Sequence, residues 1–331
     1  MADKAVRRSE SATIEHYFAP LCDPDASFGL TDDAAFLTVP DNTQLVITKD
    51  MIVADVHFFR DDDPVNIARK ALRVNLSDLA AKAAKPLGYL LGLGLPSDWT
   101  ESWLEAFCEG LRLDQNAFNF PLLGGDTVKS PERLILSVTA FGTVPKDRTI
   151  VRPNASPGDD LYATGTIGDG ALGLMVRKGE LSGRISKDQE AWLLDRFLLP
   201  QARTECATLL KATAKAAMDI SDGLVGDAGK MARAAGVCLE IDEAAIPLSN
   251  AAKSALEQDK TLFDRVLYGG DDYELLFTAS PTMRDSIERH AEELTVPVTR
   301  IGRVRDGAGV NCVDAKGNVK PQTDHPSYEH F

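Results

Sequence analysis

Six short motifs in the sequence place aspartates where apolar segments end. They are LTDDAAFL (30–37), ITKDMI (47–52), NLSDLA (75–80), LGGDTV (123–128), MDISDGL (218–224) and YGGDDYELLF (268–277). The short stem of aspartate holds its carboxylate close to a rigid backbone, as compact Mg²⁺ coordination requires. A single such aspartate is typical of a helix cap or a turn. Six of them together favour a metal site, and we expect nearly every one to lie between an apolar segment and a turn or helix start.

A cluster of these acids would need cations. The candidate metal ligands are Asp33, Asp50, Asp78, Asp126, Asp219 and Asp222. If they converge, cations must neutralise them, because burying unpaired carboxylates is very costly. A nucleoside triphosphate with Mg²⁺ is the common ligand that requires several carboxylates at once. The motifs therefore predict phosphoryl transfer.

Two familiar nucleotide motifs are absent or incomplete. No G-x-x-x-x-G-K-[ST] sequence occurs, and GDAGKM (226–231) fails in both spacing and final residue, so a P-loop fold is not expected. GDGALG (168–173) matches G-x-G-x-x-G, but the acid that should follow, Asp195, falls in a helical pattern, which argues against NAD. The glycine loop is open to two interpretations, a phosphate cradle built from backbone amides or a plain strand-to-helix turn.

Composition limits the partners and the compartment. The 331 residues carry 36 basic and 50 acidic side chains, a net charge of −14, which argues against binding nucleic acid or an anionic membrane. The acidity serves either solubility or metal binding. The five scattered cysteines contain no C-x-x-C and predict neither a disulfide frame nor a zinc site. With no apolar signal segment and no stretch long enough to span a membrane, we expect a cytoplasmic protein.

Strand and helix patterns alternate along both halves of the chain and predict an α/β fold. Strands are predicted at 44–53, 87–95, 133–144, 160–165, 237–242, 273–279 and 298–304, and helices at 64–84, 98–113, 187–199, 203–214 and 223–235. The Pro/Gly/Asn-rich stretch RPNASPGDD (152–160) marks a domain boundary, which gives domains 1–150 and 151–331.

The two halves contain an internal echo. LSDLAAKA (76–83) is similar to ISDGLVGDAGKMA (220–232), and LGGDT (123–127) is similar to YGGDD (268–272). Either the halves arose by duplication, or each independently uses a glycine turn that exposes an acid.

Taken in order, the motifs resemble one known family, thiamine-monophosphate kinase, of the superfamily that includes aminoimidazole ribonucleotide synthetase. The matching strings are DDAAFL, TKDMIVADVHF, NLSDLAAKAAKP, GGDTVK, YATGTIGDGALGL, MDISDGL and GGDDYELLFT, in family order across almost the whole chain. Each string alone is weak, whereas seven in register are specific.

The resemblance implies a fold, a reaction and a set of ligands. The fold is a two-domain, synthetase-like α/β (α+β) fold, in which an N-terminal mixed sheet with flanking helices binds ATP and Mg²⁺ and pairs in a homodimer. A C-terminal α/β domain completes the active site. The reaction transfers phosphate from ATP to thiamine monophosphate directly, with several Mg²⁺ ions and no phosphoenzyme. An acceptor that is already anionic needs no strong general base, which agrees with this chemistry.

The resemblance also assigns roles to residues. The metal ligands it implies are Asp33, Thr48, Asp50, Asp78, Asp126, Asp219 and Asp222. It further places Gly125, Arg152 and Ser221 at ATP, and His57 and Asp271 at the substrate. No side chain is assigned a covalent or acid–base role, because metals and positioning supply the catalysis.

Three positions depart from the family pattern. Thr31 replaces a glycine, Lys49 replaces a threonine or serine that contacts metal, and Asp271 replaces a glutamate that contacts substrate. In the C-terminal DHPSYEHF (324–331), Tyr328 is the candidate substitute for an aromatic substrate contact. The alternatives to the kinase are another ATP-dependent synthetase of the superfamily and a catalytically silent nucleotide-binding relative.

Overall fold

The chain folds into two compact units. The computed structural model describes residues 7–314 and 316–320. The first unit comprises Met1–Leu79 and Lys85–Lys146, and the second comprises Ala80–Ala84 and Asp147–Phe331. The chain therefore contributes one five-residue segment to the second unit before it returns to the first.

The first unit is built from helices and strands in mixed order. In chain order they are α1 (Glu10–Thr13), α2 (Pro24–Ser27), β1 (Thr43–Val53), α3 (Pro64–Ala81), β2 (Lys85–Leu95), α4 (Glu101–Phe118), β3 (Leu122–Lys129) and β4 (Ile135–Pro145). The last residues of α3 belong to the second unit.

Its sheet is mixed, as the resemblance implied. The strand order is β1-β4-β2-β3; β4 runs antiparallel to both β1 and β2, whereas β2 and β3 are parallel. The register puts Thr48 and Tyr89 on the same face of the sheet. The Thr48 hydroxyl donates to Asp78 of α3, and the Tyr89 hydroxyl accepts from Gln115 Nε2 of α4 (3.1 Å), so α3 and α4 cover this face. We call the other face the open face.

The two covering helices pack closely against each other. A Cβ added at Gly110 of α4 would overlap the Val65 carbonyl oxygen of α3, so only glycine permits this approach. Beside it, the fully buried Asp114 carboxylate accepts hydrogen bonds from Arg73 Nε (2.6 Å) and Arg69 Nε (3.0 Å). These ion pairs supply the partners that a buried carboxylate needs.

The second unit is a three-layer α/β domain. Its elements are β5 (Asp160–Thr164), α5 (Asp169–Arg177), α6 (Lys187–Leu198), α7 (Ala207–Thr213), β6 (Ala214–Ile220), α8 (Leu224–Ala235), β7 (Cys238–Asp242), α9 (Asn250–Gln258), α10 (Phe263–Tyr268), β8 (Glu274–Ala279), α11 (Arg284–Glu292), β9 (Val298–Arg305), β10 (Gly309–Val313) and β11 (Val319–Lys320). The strand order is β11-β10-β7-β9-β5-β8-β6.

Alternating side chains along the central strands build a core on each face of this sheet. On β8, Leu276 belongs to one buried cluster, with Leu172 of α5 and Leu224 of α8. Its neighbour Phe277 belongs to the other, with residues of α7 and α11. This two-residue period is what a sheet covered by helices on both sides requires.

The predicted elements all occur with shifts at their ends, and the structure adds elements that were not predicted, among them α9, α10, α11 and β10. The helix predicted at 98–113 is α4, Glu101–Phe118; its start is set by Thr100, whose hydroxyl accepts a hydrogen bond from the Trp103 amide (3.1 Å). Strand β3 was not predicted, because its two glycines were interpreted as a turn. No helix in the described part of the chain is long and apolar enough to cross a membrane.

Candidate functional site

Three of the expected metal ligands of the first unit lie together where β1 packs on α3. The Thr48 hydroxyl donates a hydrogen bond to Asp78 Oδ2. Asp50, two residues further along β1, projects from the same face as Thr48, and its amide is bonded to Asn75 of α3. This corner therefore combines a hydroxyl and two carboxylates, all of them hard oxygen donors of the kind that Mg²⁺ prefers.

Asp126 lies elsewhere, on the open face of the same sheet. It pairs with Gly92 of β2, which pairs with Ser137 of β4, and directly paired residues project from one face. Lys49 is also on this face, where its ammonium bonds Ser137 Oγ. Asp50 is on the opposite face and three strands away, roughly 14 Å at ordinary strand spacing. The structure does not bring Asp126 together with Asp50.

The aspartates of three motifs lie within regular elements, contrary to the expectation that nearly every one precedes a turn or a helix start. Asp50 is inside β1, Asp78 is inside α3 and Asp126 is inside β3. The physical reason is that each segment pairs or packs beyond its acid, so the regular element continues past the motif. For β3 the continuation is the parallel pairing with β2 as far as Lys129.

Asp33 lies in an exposed stretch between α2 and β1. Its amide donates to Asp32 Oδ1 (2.7 Å) and its side chain is exposed. The preceding Thr31 has an ordinary φ of −100°, so this turn does not require the glycine that the family pattern contains. The structure does not place Asp33 in contact with the other expected ligands.

His57 follows β1 in a tight turn and is half-buried. Its Nδ1 accepts a hydrogen bond from the Val53 amide (3.1 Å), and its own amide donates to the Val53 carbonyl (3.0 Å). Since Nδ1 is the acceptor, the neutral ring carries its proton on Nε2. The backbone thus fixes the orientation of the ring expected to contact substrate.

In the second unit, the MDISDGL motif ends strand β6 and opens helix α8. Asp219 lies in β6 and is buried, whereas Ser221 and Asp222 are half-buried in the turn that follows. Gly223 has a φ of 107°, and a Cβ there would lie 2.7 Å from the Tyr268 carbonyl, so the turn needs glycine. The local sequence therefore sets two carboxylates and a hydroxyl at the carboxyl end of β6, the edge strand beside β8.

The GGDDYE motif packs directly against that turn. The Asp271 amide donates to the Ser221 carbonyl (2.9 Å), and the Tyr273 amide donates to the Ile220 carbonyl (2.8 Å). Asp271 has a φ of 71° and Tyr273 a φ of 53°, values uncommon outside glycine and a frequent mark of functional sites. The fold thus brings Ser221, Asp222 and Asp271, to which the resemblance assigns different roles, to one place.

Two backbone amides of the glycine loop GDGALG bind a side chain of the GGDDYE motif instead of being available to phosphate. Asp272, which is fully buried, accepts hydrogen bonds from the Gly168 amide (2.8 Å) and the Gly170 amide (3.0 Å). Burial raises the pKa of Asp272 well above its usual range, and the two amides act in the opposite direction. Of the two interpretations, the structural turn fits the described contacts.

Arg152 lies in a short 3₁₀ turn, Arg152–Asn154, directly after the predicted domain boundary. This turn packs against β6 and α8, the elements that carry Asp219 and Asp222. Arg152 is half-buried there, and a guanidinium in this place suits bidentate contact with phosphate oxygens.

Two residues beside this turn were not predicted from the sequence. Asp227 of α8 accepts hydrogen bonds on Oδ2 from the amides of Ser221 and Asp222, both 2.9 Å. The ammonium of Lys230 bonds Asp227 Oδ1 (2.7 Å) and also Asp222 Oδ2. Burial raises the pKa of Asp227, and the Lys230 ammonium opposes that shift. The i, i+3 spacing of an acid and a base in GDAGK was the available sign.

Within residues 7–314 and 316–320, no group of three or more His, Cys, Asp or Glu side chains is arranged to hold a metal ion. The expected ligands instead form smaller sets, one at β1 and α3 and another around the end of β6. Tyr328, the candidate aromatic substrate contact, lies outside the described residues.

Comparison with known proteins finds matches along nearly the whole chain. Residues 31–144 match the model of AIR synthase related protein, N-terminal domain, and residues 156–314 match that of AIR synthase related protein, C-terminal domain. The thiamine-monophosphate kinase of Caulobacter vibrioides is 39% identical over 324 residues, which cover 97% of this chain and 91% of that protein.

Solved structures agree in both fold and sequence. The crystal structure of thiamine-monophosphate kinase from Stenotrophomonas maltophilia K279a has a TM-score of 0.81 and 38% identity, and covers 94% of each chain. The structure of AaThiL complexed with AMPPCP and TMP has a TM-score of 0.78 and 33% identity, and covers 92% of this chain and 97% of that one. The resemblance of the seven motifs is thereby confirmed: this chain belongs to the thiamine-monophosphate kinase family.

Proposed function

We propose that the ATP-dependent phosphorylation of thiamine monophosphate to thiamine diphosphate, the activity that membership of this kinase family gives the chain, proceeds here by direct in-line transfer. The observation that carries this proposal is the convergence of Ser221, Asp222 and Asp271 at the end of β6. A substrate phosphate oxygen is already anionic near neutral pH, so the chain needs to position it rather than deprotonate it. The relative AaThiL, complexed with AMPPCP and TMP, supports this choice of substrates.

Mg²⁺ is the metal that the donor sets suit. The proposed ligands are Asp33, Thr48, Asp50, Asp78, Asp126, Asp219 and Asp222. All offer hard oxygen atoms, and Asp222 already holds a cationic group, the Lys230 ammonium. When bound, Mg²⁺ supplies positive charge that offsets the charge on the transferring phosphoryl group.

The remaining proposed contacts divide between nucleotide and acceptor. Ser221 and Arg152 are proposed to bind ATP phosphates, the first with its hydroxyl and the second with its guanidinium. Gly125 is proposed to bind ATP through its backbone, since it has no side chain. His57 and Asp271 are proposed to orient thiamine monophosphate, and the backbone hydrogen bonds of both residues hold them in place.

The division of labour between domains 1–150 and 151–331 remains our proposal. The first is proposed to bind ATP and Mg²⁺ and to dimerise, and the second to supply the turn with Ser221 and Asp222.

A homodimer is proposed through the open face of the first sheet. Ile47, Met51 and Val128 are 59%, 53% and 55% exposed there, and all three are large and apolar. The register of β1, β4, β2 and β3 puts them on one face with Asp126. An exposed apolar sheet face of this kind is typical of a protein interface. In a dimer with two-fold symmetry, a second copy pairs its own open face with this one. The three residues of both copies are then buried in the interface.

A cytoplasmic location is also proposed. The five cysteines are thiols and not disulfides, and Cys108, Cys206, Cys238 and Cys312 are buried, which suits a reducing compartment.

The test is transfer of labelled γ-phosphate from ATP in the presence of Mg²⁺, with three acceptors in parallel: thiamine monophosphate, an aminoimidazole ribonucleotide precursor and selenide. Thiamine diphosphate is the expected product. Asp126→Asn should reduce its formation by about 100-fold, and it should not disturb folding, because Asp126 is exposed.

The matched control is Asp41→Asn, an exposed aspartate of the same unit that lies outside the six motifs. It should keep wild-type activity. Product from either of the other acceptors alone would assign the chain to a sister synthetase, and ATP binding without any transfer would indicate a silent relative.

A further inference from the structure

Asp222, a proposed metal ligand, already has a cationic partner within the protein. Lys230 lies eight residues later on α8, and its ammonium bonds Asp222 Oδ2. Both side chains are about one-third exposed, 32% for Asp222 and 35% for Lys230, so the pair is open to solvent and to ligands. Any metal ion that binds Asp222 must therefore come close to the positive charge of this ammonium.

A second carboxylate holds the ammonium where it is. Asp227 is fully buried, and its Oδ1 accepts a hydrogen bond from Lys230 at 2.7 Å. Its Oδ2 is occupied by the amides of Ser221 and Asp222. If Lys230 moved away from Asp227, a buried carboxylate oxygen would lose this hydrogen bond, which is costly. Lys230 thus stays beside Asp222 even when Asp222 takes another partner.

We propose that Lys230 is a charge filter at this ligand: it weakens the binding of free divalent cations to Asp222 and favours metal that arrives with a nucleotide. The inference rests on the proposed role of Asp222 as a metal ligand. A bare divalent ion is repelled by the ammonium and must displace it from Oδ2. A metal–nucleoside triphosphate complex is a net anion, so its phosphates are attracted by the same ammonium.

The filter has a functional consequence for the site. Free Mg²⁺ would occupy Asp222 poorly without nucleotide, so this carboxylate would remain ready for the complex that the reaction consumes. Lys230 acts through Asp222 and the arriving phosphates, and is therefore a positioning residue.

The experiment measures Mn²⁺ binding by calorimetry, first alone and then with a non-hydrolysable ATP analogue. The test variant is Lys230→Gln, which removes the charge but keeps an N–H group that can donate to Asp227. Lys230→Arg keeps the charge. The matched control is Lys215→Gln, since Lys215 pairs with the buried Asp159 at the other end of β6 and removal of its charge leaves Asp222 untouched. Thermal unfolding verifies that each variant is folded.

We expect Lys230→Gln to bind free Mn²⁺ about tenfold more tightly at its weakest site. Lys230→Arg and Lys215→Gln should match the wild type. Binding of the metal–nucleotide complex should not improve in Lys230→Gln. In an Asp222→Asn background, the substitution at Lys230 should have no effect on Mn²⁺ affinity.

Unchanged or weaker Mn²⁺ binding in Lys230→Gln would overturn the proposal, and so would an equal gain in the Asp222→Asn background. Phosphate transfer by the wild type distinguishes failure of the charge filter alone from failure of the proposed function. If transfer occurs but Lys230→Gln changes nothing, only the filter is wrong. If the wild type neither binds Mn²⁺ nor transfers phosphate, the filter and the proposed function fail together.

Discussion

Asp160, at the start of β5, shows how one residue couples the fold of the second unit to pH. Its carboxylate accepts hydrogen bonds from Arg284 Nε (2.7 Å) and Nη2 (2.9 Å) and from Arg300 Nη1 (3.3 Å), and its side chain is 5% exposed. The Arg284 hydrogen bonds hold the pKa of Asp160 below its usual value. The two arginines thereby link α11 and β9 to β5 through Asp160.

The pH dependence follows from the sign of that shift. A carboxyl with a folded pKa below its unfolded value, about 3.9, stabilises the protein above that value, and the contribution is lost as pH falls through the folded pKa. Asp160→Asn should therefore lower the free energy of unfolding at pH 7 by about 1–3 kcal/mol. The difference from wild type should shrink below about pH 4. Urea unfolding at both pH values measures it.

The control for this prediction is Asp306→Asn, an exposed turn aspartate, which should leave the free energy of unfolding unchanged at both pH values. A difference between Asp160→Asn and wild type that stays constant from pH 7 to pH 3 would contradict the assigned pKa shift.

Residue types and spacing predicted part of the candidate site and missed its partners. Asp222 was predicted in this way, whereas Ser221 and Asp271 were implied only by the family resemblance; the structure brings the three together. Lys230 was missed, and its i, i+3 spacing from Asp227 was the sequence sign for it. Asp272 was also not predicted, because a side chain that binds amides of a distant segment is identified only once the fold has set its neighbours. Asp272 shows this plainly: its amide partners are more than 100 residues earlier in the chain.

Strand β3 is the element for which local sequence was most misleading. Gly124 and Gly125 read as a turn, yet they lie within the strand, where each meets a different requirement. Gly125 faces the β2 backbone, and a Cβ there would overlap the Leu91 carbonyl oxygen. Gly124 is on the open face, where an added Cβ would lie 3.3 Å from Leu90 Cδ2, the end of a flexible side chain.

The two glycines should therefore respond differently to alanine. Gly125→Ala should lower the free energy of unfolding by about 1–3 kcal/mol, because β3 must move away from β2. Its activity should fall as well, since Asp126 follows directly in the strand. Gly124→Ala should change the free energy of unfolding by less than about 1 kcal/mol. Urea unfolding and the transfer assay on both variants provide the comparison, and equal effects would show that β3 is not paired as described.

Other elements were predictable because their burial pattern is regular. The strands predicted at 44–53 and 160–165 became β1 and β5 with end shifts of a single residue. The internal echo does not extend to local structure. Asp78 lies inside α3, whereas Asp222 lies in the turn before α8, and one Gly-Gly-Asp is in a strand while the other is in a loop. Similar short strings thus have different structures, because long-range pairing decides the element.

The exposed apolar face of the first sheet requires an explanation that composition did not offer. A sequence shows alternation along β1, but whether the second face is covered depends on a partner outside the chain. The proposed homodimer explains the exposure of Ile47, Met51 and Val128 together.

The dimer can be tested by light scattering after size exclusion at micromolar concentration. Wild type should have twice the chain mass of 35.8 kDa. Ile47→Lys should shift the protein toward monomer, because two-fold symmetry places two charges in the interface. Val319→Lys, at a comparably exposed apolar residue of β11, should remain dimeric. A wild type that is monomeric would exclude this interface.

Direct phosphoryl transfer organised by positioned oxygen ligands has a stereochemical consequence. The most direct measurement is the configuration at phosphorus after transfer from ATP made chiral at its γ-phosphate with oxygen isotopes. One in-line displacement inverts that centre, whereas a phosphoenzyme intermediate would give two displacements and net retention. We predict thiamine diphosphate with inverted configuration at its terminal phosphorus. Retention would contradict the account and would require a nucleophilic side chain that accepts the phosphoryl group.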